Sequence, residues 1–151
     1  MTVERKFIND LVNEVWPALE VTVINEYTDR LSQRKYGDYR IHIGDRDINI
    51  DVKAEENTPD NFPIEIMQDW QSNDIGWYLT LSGCDEIWYG KYDGGLSVYR
   101  VSMNRLRRVG SDASSKWAVR RCVKGQGDTI FIAAPITDLI ERDICRKAWP
   151  I

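Results

Sequence analysis

Asp38 and the tripeptide Asp51-Val52-Lys53 are the residues of this chain whose types and spacing best suit chemistry. Two carboxylates brought close together repel each other and need a cation between them. A hard divalent ion such as Mg2+ suits an all-oxygen set of ligands. A lysine beside the pair can orient an attacking water or neutralise charge that builds on a phosphate. Together these groups could support metal-assisted hydrolysis of a phosphodiester bond.

The flanking residues must position them. Tyr39-Arg40-Ile41-His42-Ile43 and Ile48-Asn49-Ile50-Asp51-Val52-Lys53 both alternate apolar and polar side chains, the period-two pattern of a strand with one buried face. Gly44-Asp45-Arg46-Asp47 between them reads as a tight hairpin turn. With all four residues in the turn, Ile43 faces Ile48, His42 faces Asn49, Arg40 faces Asp51 and Asp38 faces Lys53. The polar residues then share one face, and Asp38 and Asp51 become diagonal neighbours about 7 Å apart. A slip of one residue would bury the charged set, so the alternation excludes it.

This pattern resembles the PD-(D/E)XK nuclease superfamily, which has the restriction-endonuclease-like fold. Asp38, in Tyr36-Gly37-Asp38-Tyr39, matches the first acid, with Gly37 in place of the usual proline, and Asp51-Val52-Lys53 matches the (D/E)XK tripeptide. Glu4, in Glu4-Arg5-Lys6-Phe7, matches the glutamate that the first helix of that fold often contributes, and Glu14 is a weaker counterpart. The resemblance covers roughly the first two-thirds of the chain. It implies an α/β (α+β) fold: one domain over residues 1–151, with a mixed, mainly antiparallel sheet flanked by helices. It also implies a Mg2+-dependent nuclease acting on DNA, with Mn2+ able to substitute. Asp38 and Asp51 would be the metal ligands, the Val52 carbonyl a further ligand, and Lys53 and Glu4 catalytic partners. A homodimer with one site per strand is a further implication.

Charge is unevenly spread. The net charge is −4 at pH 7, yet residues 1–99 hold 9 basic and 19 acidic side chains, and residues 100–151 hold 11 basic and 5 acidic. Arg107, Arg108, Lys116, Arg120, Arg121 and Lys124 fall in the basic part, which could hold a phosphate backbone whatever the overall sign. Arg34 and Lys35 precede the hairpin and could grip a phosphate next to the scissile bond. At 151 residues and 42% hydrophobic content the chain can bury a core. No apolar run is long enough to span a bilayer. Cys84, Cys122 and Cys145 fit neither a zinc motif nor a disulfide framework, so a cytoplasmic setting is expected. No Gly-rich nucleotide loop is present, so no nucleotide cofactor is expected.

Other elements follow from periodicity and punctuation. Residues 2–19 read as an amphipathic helix capped by Thr2 and ended or kinked by Pro17. Residues 21–27 read as a strand, 28–35 as a polar segment and 63–67 as a third sheet element. The pattern over 68–83 fits a short helix or irregular structure equally. Residues 86–92 and 96–101 form a second hairpin, Ser102 can cap a basic helix over 103–109, and 110–115 read as a loop. A late strand is expected over 129–133 and a closing helix over 136–148.

Weaker site residues and other functions compete with this reading. Glu65 is either a further acid near the metal or the polar face of an edge strand, and Gln68 is similar. His42, the only histidine, cannot build a zinc site alone. An ordinary exposed sheet face would also alternate, with Asp38–Lys53 and Arg40–Asp51 as cross-strand ion pairs. The alternatives to a nuclease are a non-catalytic module that binds nucleic acid or protein and retains the fold, and an acidic mimic of nucleic acid that binds a basic partner.

Overall fold

A computed structural model describes residues 1–57, 59–69, 74–109, 117–124 and 127–151, with the side chains of 67–69, 74–75, 118–124 and 127–129 outside the description. The first helix forms where the sequence predicts it. Thr2 Oγ1 accepts the Arg5 N–H at 3.1 Å and opens α1 (Val3–Asp10), satisfying a donor that the helix itself cannot pair. The chain continues through a π-helical turn (Leu11–Val15) into α2 (Trp16–Ala18). Pro17 has no N–H, and its ring crowds the carbonyl four residues back, so the helix widens just ahead of it. Phe7, Leu11, Val15 and Trp16 form the buried stripe.

That stripe packs on a six-stranded sheet. In spatial order its strands are β1 (Thr22–Glu26), β2 (Tyr39–Ile43), β3 (Arg46–Glu56), β6 (Glu86–Tyr92), β7 (Leu96–Ser102) and β10 (Cys145–Trp149). The β3–β6 pairing is parallel and the others are antiparallel. A second, antiparallel sheet runs β5 (Asp74–Ile75), β4 (Asn61–Asp69), β9 (Gly127–Pro135), β8 (Ala118–Lys124). With α3 (Arg30–Tyr36), α4 (Trp77–Thr80), α5 (Met103–Val109) and α6 (Ile136–Glu141) around the sheets, the class is the mixed α+β expected.

The two faces of the main sheet are covered differently, and this positions the polar residues. Ile48, Ile50 and Val52 of β3 and Trp88 of β6 join Phe7, Leu11, Val15 and Trp16 in one core cluster. Ile87 and Tyr89 of β6 join Phe62, Ile64 and Ile132 of the second sheet in another. Asp51 pairs with Ile87 and Lys53 with Tyr89. Paired residues of neighbouring strands share a face, so Asp51 and Lys53 point toward the second sheet and away from α1. Trp16 meets Trp88 and Tyr39 edge-on, with ring centroids 6.2 and 5.6 Å away, a packing worth about 0.5–1.5 kcal/mol per pair beyond area burial.

Several expectations are corrected. The polar segment 28–35 is largely the helix α3, capped by the Asp29 carboxylate, which accepts the Ser32 N–H at 2.9 Å. It has no apolar stripe, so periodicity could not reveal it. The closing helix stops at Glu141, Asp143 takes a left-handed φ of 58°, and Cys145–Trp149 becomes an edge strand on β7. Main-chain pairing there overrides local helical preference. Residues 63–67 and 129–133 are strands, but of the second sheet. The ambiguous 68–83 stretch contains the end of β4, then β5 and α4. The second hairpin forms in the expected place, and Ser102 Oγ accepts the Arg105 N–H at 3.2 Å at the start of α5. The loop expected over 110–115 lies outside the described residues. Among the described residues no helix is long and apolar enough to cross a membrane.

Candidate active site

The β2–β3 hairpin is tighter than a four-residue turn. Ile43 pairs with Arg46, His42 with Asp47, Ile41 with Ile48 and Arg40 with Asn49. The loop is therefore Gly44-Asp45 alone, with φ of 62° at Gly44, the pattern of a two-residue turn whose first central position needs glycine. The expected pairings Ile43–Ile48, Arg40–Asp51 and Asp38–Lys53 are thus displaced by two residues. Each residue keeps its face, because a shift of two preserves parity. Asp38 lies one residue before β2, where its N–H still reaches Ile50, and its carboxyl is in hydrogen-bond contact with that of Asp51, so the two acids are direct neighbours.

Backbone contacts hold Asp38 there. Its N–H donates to the Ile50 carbonyl at 2.8 Å, and its Oδ2 accepts the Val52 N–H at 2.8 Å. Gly37 makes this approach possible. Its φ is 97°, and a Cβ at this position would lie 2.5 Å from the Ile50 oxygen. Proline, locked near −65°, could not take that conformation.

Asp51 is 6% exposed, and its Oδ2 lies 3.0 Å from Lys53 Nζ without a well-aligned hydrogen bond. Burial, then the Asp51 charge and a hydrogen bond with Asp51, push the Asp38 carboxyl up to about 8, against the Val52 N–H and Lys53. Burial acts to lower Lys53, but Asp51, with Glu4 and Asp38, outweighs it, so the ammonium is raised and stays charged. Partial burial raises the exposed Glu4, Lys53 opposes the shift and Asp51 adds to it. Glu4 thus feels the site electrostatically.

Asp51 and Lys53 line a cleft of about 450 Å³ together with Arg30, Gln33 and Arg34 of α3, Glu65 of β4, and Trp77, Thr80 and Leu81. Arg34 and Glu65, both singled out in the sequence, meet here. Arg30 and Gln33 were not foreseen, although Asp29 as an N-cap was a signal for the helix that carries them. Lys35 does not line the cleft and sits 5.3 Å from the centre of the Tyr36 ring. Glu14 is exposed in the π turn and belongs with Asp10 and Glu56 near Tyr92. His42 is exposed and bound to Asp47 at 2.6 Å.

Asn49 is the organising residue that the sequence reading missed. Its Oδ1 accepts the Tyr27 hydroxyl at 2.6 Å and Arg40 at 3.2 Å, its Nδ2 donates to the Gly83 carbonyl at 3.1 Å, and its N–H donates to Asp85. A buried amide on the polar face of a strand was the available signal.

The donor set fits a hard divalent cation that keeps several waters. Two carboxyls adjoin, and one carries a buried oxygen with no aligned hydrogen bond. The N–H and C=O of a strand residue point to the same side, so the Val52 carbonyl points to the side where Asp38 sits, beyond the end of β2. Among the described residues no group of three or more His, Cys, Asp or Glu converges tightly enough to hold an ion, so Glu4 is not drawn into one cluster with the aspartates.

Of the remaining basic residues, Arg107 and Arg108 line a second cleft, described below. Arg120, Arg121 and Lys124 lie on β8 with side chains outside the description, and Lys116 lies outside the described residues. Gln68 is on β4, its side chain also undescribed. Compared with family models, curated proteins and solved structures, the chain finds no match.

Proposed function

We propose that this chain is a Mg2+-dependent nuclease of the PD-(D/E)XK type that hydrolyses phosphodiester bonds in DNA. The observation that carries the reading is the contact of the Asp38 and Asp51 carboxyls, with the Val52 N–H on one acid and the Lys53 ammonium on the other. Asp38, Asp51 and the Val52 carbonyl would hold the ion, and Mn2+ would substitute. When bound, the ion supplies Lewis acidity toward the phosphoryl oxygen and a more acidic water. Lys53, held charged by its acidic neighbours, stabilises negative charge that builds on the phosphate. Arg30 and Arg34 face the same cleft and offer guanidinium donors to the backbone on either side of the scissile bond. A homodimer would place one such site on each strand of a duplex.

The test is incubation of the purified chain with duplex DNA, with EDTA, Mg2+ or Mn2+. Divalent-dependent cleavage is expected, and Asp51→Asn or Lys53→Ala should lower its rate at least ~100-fold while DNA binding persists. Absence of cleavage with either metal, on duplex and single-stranded DNA alike, would remove the enzymatic reading. One observation favours a non-catalytic binding module instead: Lys53 already neutralises Asp51 and a neutral Asp38 needs no counter-ion, so the pair is electrically satisfied without metal. That module would bind DNA in a salt-sensitive way and never cut it.

A further inference from the structure

A second cleft of about 480 Å³ adjoins the first. Leu81 lines the first, and the next residues in the chain, Ser82, Gly83 and Cys84, line the second. Arg46 at the start of β3 and Arg105, Arg107 and Arg108 of α5 line it too, with Asp85 and Glu86 as its acids. The acids are occupied. Glu86 is clamped through both oxygens by Arg100 at 2.9 Å, and Asp85 accepts the Asn49 N–H at 2.8 Å. Arg105 is paired with Asp143, and Arg107 donates to the Leu81 carbonyl. Arg46 and Arg108 are exposed, and among the described residues their side chains have no hydrogen-bond or ion-pair partner.

We infer that Arg46 and Arg108 form a second phosphate-binding site, which takes a non-scissile phosphate of the nucleic-acid strand whose scissile bond lies at Asp51 and Lys53. This rests on the nuclease reading for its substrate. The physical argument is that two unpaired guanidiniums sharing a cleft repel each other and favour an anion between them, and phosphate matches their planar donors. The strand would cross the loop at Leu81–Cys84, which Arg107 holds from the α5 side and Asn49 from the β3 side. Two residues distant in sequence thus meet on one path, one from the acidic part of the chain and one from the basic part.

The experiment is fluorescence-anisotropy titration of a labelled DNA duplex in EDTA over a series of salt concentrations. It compares the native chain with Arg46→Glu/Arg108→Glu and with Lys147→Glu, an exposed reversal on β10. The double variant should bind at least ~10-fold more weakly, with the salt slope reduced by about 2, one per arginine, while Lys147→Glu binds as the native chain does. Single Arg46→Gln and Arg108→Gln variants, with thermal melts, guard against misfolding and should each lower the slope by about 1. Native affinity and slope in the double variant would overturn the inference, as would an equal loss in Lys147→Glu or no DNA binding by the native chain. If the arginine variants weaken binding but no divalent ion supports cleavage, the phosphate site stands and the nuclease reading falls. If Asp51→Asn abolishes cleavage but the arginine variants bind normally, only this inference falls.

Discussion

The Val52 N–H donates to Asp38 Oδ2 at 2.8 Å, so the tripeptide that supplies the second acid also holds the first. The two carboxyls are set by backbone geometry and not by flexible side chains alone. This makes their mutual repulsion a built-in feature that a proton or a cation must relieve.

A proton relieves it in the metal-free protein. The Asp38 carboxyl titrates at about 8 in the folded chain, against ~3.9 in an unfolded one. The folded state therefore binds the proton more tightly between those values. Its contribution to stability is fully present below the unfolded value and is lost as pH rises through about 8. Denaturant unfolding in EDTA should show stability declining from about pH 5 to about pH 8, with Asp38→Asn flattening this decline. At the upper pH the variant should exceed the native chain by roughly 1–2 kcal/mol. A native chain at least as stable at the upper pH would contradict the neutral carboxyl.

Divalent metal should replace that proton. Mg2+ is expected to raise the melting temperature more at high pH than at low, because it competes with fewer protons there. Asp51→Asn should abolish the shift. Calorimetry in buffers of different ionisation enthalpy would detect the released proton, and a heat independent of buffer would count against displacement.

Gly37 is predicted to be irreplaceable. Gly37→Ala must place a Cβ 2.5 Å from the Ile50 oxygen at a φ of 97°, at a cost of about 2–4 kcal/mol. Gly37→Pro, whose ring fixes φ near −65°, should be worse. Urea midpoints measure both, and a proline variant of native stability would refute this backbone account.

Asn49→Leu should destabilise the chain by about 1–3 kcal/mol, since it strands the Gly83 carbonyl and the Tyr27 hydroxyl. It should also weaken DNA binding, because the loop between the two clefts loses its β3 anchor. Urea unfolding and anisotropy read the two effects separately.

Much of the site was legible because it is local. The alternation of 39–43 and 48–53 located both strands and the face of every polar residue, and Thr2 and Ser102 marked their helices. The register was not legible. Pairings that differ by two residues place the same side chains on the same faces, so the pattern cannot choose between them. The choice came from the Gly44 turn and the Asp47–His42 contact. The α3 helix was hidden for a related reason, since Arg30–Tyr36 has no buried residue to give it a period.

By itself, the amino-acid order determined the two strands of the hairpin and the shared face of Arg40, Asn49, Asp51 and Lys53. These are matters of neighbouring residues and of steric limits on the backbone. Only the tertiary structure decided that the Asp38 and Asp51 carboxyls touch, that Asp51 and Lys53 share a cleft with Arg30, Arg34 and Glu65, and that Arg46 and Arg108 line a second one. Such convergence depends on which distant surfaces bury each other, and no short-range periodicity carries that information.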